Sequence, residues 1–191
     1  FDRKQPEQRV TYCGSNPVSD LWCEQALRLL AGSFRTAFRN GSDLEARSNM
    51  MLAATFAGMG FGNSGVHIPH ANAYPIAGMV KDYRPPNYPQ DEPMVPHGMS
   101  VSLTAPEAFR FSFPSAPERH LAAAALLAPD KDKLNDASEQ LPSVVVDLMR
   151  DIEIPNGIGA VGYTEADIPD LVPGTMKQQR LLATCPRPVD E

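Results

Sequence analysis

From Val18 to Phe38 the chain sets Trp22, Ala26, Leu27, Leu30, Phe34 and Phe38 three or four positions apart, the period of one helix face. Ser15-Asn16-Pro17 supplies a capping side chain and a proline suited to a first turn, and Asn40-Gly41 supplies a stop. A second helix is predicted from Leu44 to Met59, opened by the capping-box pattern Ser42-Asp43-Leu44-Glu45 and carrying Leu44, Met51, Leu52, Thr55, Phe56 and Met59. The methionines Met50, Met51 and Met59 read as core. Gly58 to Gly65 holds four glycines in eight residues and predicts a bend where helices approach closely. Further helices are predicted over Val66–Val80, His97–Phe109, His120–Leu127 (entered through Pro117) and Leu141–Met149. Thr164-Glu165-Ala166-Asp167 predicts a capped short helix near the end. A loop over 81–96 holds five prolines, and 154–162 reads as turns. No alternating run exceeds about four residues apart from Val144-Val145-Val146, so the fold class is all-α.

At 191 residues this is one domain, long enough to bury a core without disulfides. A net charge of −6 argues against a broad nucleic-acid surface. No apolar run approaches the ~20 residues that span a bilayer. Three cysteines without a CxxC argue against a disulfide framework. The chain begins at Phe1 with no signal-peptide pattern and runs out just past Cys185-Pro186-Arg187-Pro188; it is expected to be part of something longer.

Four histidines offer chemistry: His67, His70, His97 and His120. His67 and His70 share a helix face by spacing, and His97 follows the proline-rich loop at a helix start. His70 and His97 could serve one metal from two helices, although two or three imidazoles leave a coordination sphere unfilled. Packing histidines are the alternative. The glycine run lacks the GxGxxG spacing and a preceding strand, and no GxSxG exists, so phosphate-loop and serine-nucleophile readings fail. Asp130 to Asp136 alternates with lysines as a solvated connector.

Residues 46–80, and within them Gly62-Asn63-Ser64-Gly65-Val66-His67-Ile68-Pro69-His70, resemble the C-terminal helical domain of the iron-containing alcohol dehydrogenase superfamily, whose fold is dehydroquinate synthase-like. Val95-Pro96-His97-Gly98-Met99-Ser100, Gly14-Ser15-Asn16-Pro17-Val18-Ser19-Asp20, Pro117-Glu118-Arg119-His120 and 160–169 are similar to its hydroxyacid-oxoacid transhydrogenase branch. The resemblance implies that 1–191 is the helical metal-binding domain, truncated at both ends. A nicotinamide-binding domain and an Asp–His ligand pair would precede Phe1. It implies a divalent metal, iron or zinc, held in part by His70 and His97. It implies bound NAD beside Phe61, and Tyr74 near the reacting centre where many members carry His. His67, often Gly elsewhere, is implied as a substrate contact or a support of the ligands.

The implied reaction moves hydride from a hydroxyacid of the 4-hydroxybutyrate type to NAD and on to an oxoacid such as 2-oxoglutarate. The metal acts as Lewis acid on the hydroxyl, and the nicotinamide carries the hydride. Lys81, Arg84 and Arg47 are candidate partners for the substrate carboxylate. Partners are then a small hydroxyacid or alcohol, the cofactor domain and a second copy, with no nucleic acid or membrane. The location implied is cytoplasmic, or the mitochondrial matrix in a eukaryote. The isolated chain would be inactive. Two other readings stay open: an NAD(P)-dependent iron-containing alcohol dehydrogenase with free cofactor exchange, and a non-catalytic helical interaction module.

Overall fold

The computed structural model describes residue 5 and residues 11–190. Among them lie nine α-helices and no strand: α1 Pro17–Arg39, α2 Leu44–Ser64, α3 Ile68–Gly78, α4 His97–Ser102, α5 Ala105–Ser112, α6 Pro117–Leu127, α7 Gln140–Asp151, α8 Ile168–Met176 and α9 Gln179–Leu182. Short 3-10 turns link several of them.

Asn16 caps α1 as its sequence predicts: its side chain accepts from the Ser19 amide at 3.0 Å, and Pro17 occupies the first turn. α2 is capped by Asp43, not Ser42. The Asp43 carboxylate accepts from the Ala46 amide at 2.9 Å, while the Ser42 hydroxyl donates to Asn40.

α1 and α2 form a hairpin. The residues buried between them are Ser19, Ala26 and Ser33 on α1 and Ala46, Ala53 and Gly60 on α2, each set repeating every seven. A seven-residue repeat keeps one seam facing its partner, and small side chains let the two backbones close together. The predicted large stripe flanks this seam instead. Trp22 meets Phe56 with ring centres 5.3 Å apart, and Phe38 is exposed. Asn49 donates across the seam to Ser33 at 3.0 Å.

The glycine run does not end α2. The helix carries through to Ser64 and stops at Gly65, whose φ of +84° suits a residue without a Cβ. Gly60 supplies the close approach: a Cβ there would overlap the Cys23 sulfur and stand 3.2 Å from the Ser19 carbonyl oxygen. Nor are all the methionines core. Met51 is 71% exposed because it lies opposite the small-residue seam, and Met59, beside the seam, is also exposed.

α3 is the central element, packed by α4, α5, α8 and α9. It begins at Ile68, two residues later than the periodicity suggests, and tolerates Pro75 inside its last turns. Gly174 of α8 lets that helix close on α3, since a Cβ there would come within 2.7 Å of the Pro75 Cβ. One core holds Ile76, Val95, Met99, Leu103, Val161, Tyr163 and Leu171; a second joins Ala71 to Leu181 and Leu182; a third joins Ala124, Leu141 and Val144. The single helix predicted over His97–Phe109 is two, broken at Leu103–Thr104 ahead of Ala105-Pro106, since proline supplies no amide to continue the ladder. The valine triplet 144–146 lies inside α7, where tertiary packing overrides its strand preference. Thr164 and Asp167 make the reciprocal capping box that their spacing predicts.

Candidate functional site

His70 lies in the first turn of α3 and Tyr74 one turn later, so both project from one face. Ala71 and Ala73, wholly buried, fix the helix beneath them. The proline-rich loop brings His97 to this face. Its ends are pinned where the Met94 amide donates to the Tyr83 carbonyl at 2.8 Å, and Pro85 and Val95 are buried. His97 then opens α4, which is anchored by buried Met99 and Ser100, with the Ser100 hydroxyl donating to the His97 carbonyl at 2.8 Å.

The outcome is a cluster of three rings. The His70 and His97 ring centres are 5.6 Å apart, and those of Tyr74 and His97 are 6.4 Å apart. Two imidazoles on one ion at about 2.0–2.1 Å have ring centres roughly 5–6 Å apart, so the pair fits a shared metal. Burial first, then the neighbouring His97, pushes the His70 pKa below its ordinary value, which favours the neutral form that ligates. The donor set stops at two: among the described residues no group of three or more His, Cys, Asp or Glu is placed to hold a metal.

Phe61 lies in the last turn of α2 and is 46% exposed. His67 is the residue before α3; its carbonyl accepts from the His70 and Ala71 amides at 3.0 and 3.1 Å. Its Nδ1 is buried without a hydrogen-bond partner among the described residues, and burial above all, aided by His70 and His120, pushes its pKa down to about 4. His67 also lines a cavity of about 480 Å³ with Cys23, Arg119 and His120. His120 belongs to this region and is not part of the ring cluster. Its Nδ1 lies 2.8 Å from the Ala116 carbonyl, which can only accept, so Nδ1 carries a proton and Nε2 faces the Ser112 hydroxyl at 2.9 Å.

The cations named from sequence are committed elsewhere. Lys81 pairs with Asp167 at 2.7 Å, Arg84 donates to the Gln90 and Asp82 carbonyls of its own loop, and Arg47 donates to the Gly41 carbonyl at the far end of α2. Sequence reasoning missed Arg180, whose Nη2 donates to the Tyr74 hydroxyl at 3.2 Å. The two are 106 residues apart and α9 has only four residues, too short for a periodic signal.

A model of the Fe-containing alcohol dehydrogenase family, C-terminal, matches residues 7–191, and the chain belongs to that family. It is 47% identical over 188 residues to the hydroxyacid-oxoacid transhydrogenase, mitochondrial, of Bos taurus, covering 97% of this chain and 40% of that protein. The protein of the same name from Homo sapiens is 48% identical over 186 residues, covering 95% and 40%. The chain thus spans about 40% of the length of these curated relatives. Among solved structures, an alcohol dehydrogenase from Oenococcus oeni superposes with a TM-score of 0.79 at 29% identity, over 92% of this chain and 43% of that one. A 1,3-propanediol oxidoreductase gives 0.78 at 28% identity, with the same coverage. The all-α assignment agrees with these neighbours.

Proposed function

We propose that residues 1–191 are the C-terminal helical metal-binding domain of a longer oxidoreductase that moves hydride from a hydroxyacid of the 4-hydroxybutyrate type, through bound NAD, to an oxoacid of the 2-oxoglutarate type. The convergence of His70, His97 and Tyr74 on one face carries this reading. The length of the relatives supports a longer chain, as does the apolar surface left open on α1 and α2, where Val18, Leu21, Leu44 and Met51 are all more than 60% exposed. The relatives' names support a mitochondrial location for a eukaryotic source.

His70 and His97 hold a divalent metal together with ligands from outside these residues. When bound, the metal favours ionisation of the substrate hydroxyl and NAD accepts the hydride from its carbon. Tyr74 borders the reacting centre and orients the substrate there. His67, neutral at physiological pH, supports the α3 start that carries His70. Phe61, at the exposed end of α2, offers an apolar face to the nicotinamide side.

The test is turnover of the full-length enzyme with 4-hydroxybutyrate and 2-oxoglutarate and no added NAD. Product formation under those conditions supports the transhydrogenase. Strict dependence on added NAD or NADP supports the second reading, a free-cofactor alcohol dehydrogenase, which the Oenococcus oeni and 1,3-propanediol oxidoreductase likenesses favour.

A further inference from the structure

We infer that Arg180 is the carboxylate anchor of the hydroxyacid site, an assignment that rests on the function proposed above. A hydroxyacid differs from an alcohol of the same length by one anionic end. A site that selects it needs a cation near the reacting carbon that is not already satisfied by an acid.

Arg180 meets this description. Its guanidinium donates to the Tyr74 hydroxyl at 3.2 Å, and the Tyr74 ring stands 6.4 Å from that of His97, so one tyrosine bridges the cation and the imidazoles. Among the described residues Arg180 has no carboxylate within ion-pair distance, whereas Lys81 is held by Asp167 at 2.7 Å.

The position is also built. α9 has four residues, and its Leu181 and Leu182 are buried against Ala71 of α3. Ala71 lies three residues before Tyr74, so the contact that seats α9 also fixes Arg180 beside the tyrosine. The planar guanidinium uses one nitrogen on Tyr74 and keeps others for a carboxylate, which it can grip through two parallel hydrogen bonds. A hydroxyacid would thus lie across the Tyr74 ring, its hydroxyl end at His70 and His97 and its acid end at Arg180.

Two measurements test the assignment. In the full-length enzyme, Arg180→Gln raises KM for 4-hydroxybutyrate by roughly 10- to 100-fold with a much smaller change in kcat, leaves KM for 1-butanol within about twofold, and is partly rescued by Arg180→Lys. An equal effect on both substrates, or none on the acid, overturns it. The second measurement needs no turnover: calorimetric binding of butyrate to the full-length enzyme. Binding weakened by a similar factor in Arg180→Gln supports the anchor, and binding unchanged by the substitution, or absent in wild type, overturns it. Wild-type turnover of 4-hydroxybutyrate reports separately on the function reading.

Discussion

The Tyr163 hydroxyl donates to the Ile76 carbonyl oxygen at 2.7 Å, across 87 positions of sequence, in the buried core beneath α3. The last four carbonyls of a helix have no intrahelical partner, and α3 ends at Gly78. Tyr163 therefore satisfies an orphan acceptor of the helix that carries His70 and Tyr74, and holds that helix to the segment after α7.

Removing only that hydroxyl, in Tyr163→Phe, leaves the ring packed and the carbonyl buried without its donor. The expected loss is about 1–3 kcal/mol, read as a lower urea midpoint at unchanged slope.

Gly60→Ala tests the α1–α2 seam. The new methyl would overlap the Cys23 sulfur and crowd the Ser19 carbonyl oxygen, which costs about 1–3 kcal/mol as over-packing. Adding Cys23→Ala removes the nearer obstacle, so the double variant recovers most of the loss in the same urea titration. An unchanged loss would place the strain in the backbone contact with Ser19.

His67 makes stability depend on pH. Its folded pKa is about 4, below the ordinary 6.5, mainly because burial penalises the charged ring. Between those values the unfolded chain takes up a proton that the folded chain refuses. Stability is therefore full above pH 6.5 and falls as pH drops toward 4, by about 3 kcal/mol in the metal-free chain. His67→Asn flattens this part of the profile; parallel profiles for variant and wild type would contradict it.

Only two imidazoles converge, and no third ligand stands with them among the described residues. The isolated chain is accordingly expected to bind zinc or ferrous ion weakly, with dissociation constants on the order of 10 μM or above. Calorimetry showing tight, stoichiometric binding that survives His70→Ala would mean the ligands lie elsewhere.

Much of this was legible in the residues. Asn16 and Thr164 announce their helices because capping is local chemistry, written in side chains two or three positions from the amides they serve. The glycine run misleads because Gly60 answers to Cys23 on another helix, a demand no local rule encodes. The Met51 face misleads because hydrophobicity tells that a surface wants cover but not what provides it. His70 and His97 stand out in the sequence only as a two-helix option, and the metal role comes from the resemblance; what the structure adds is that their rings lie 5.6 Å apart. Arg180 was hidden because its place beside Tyr74 depends on Leu181 and Leu182 seating a four-residue helix against Ala71.

In the function proposed above, His70 and His97 together hold the metal of a hydride-transfer enzyme. Metal content of the purified full-length enzyme, measured by inductively coupled plasma mass spectrometry, tests it most directly. Close to one divalent ion per chain is expected in wild type and in Arg180→Gln, and near zero in both His70→Ala and His97→Ala, with each variant still folded by circular dichroism. Folded His70→Ala and His97→Ala proteins that keep the full complement of metal would contradict it.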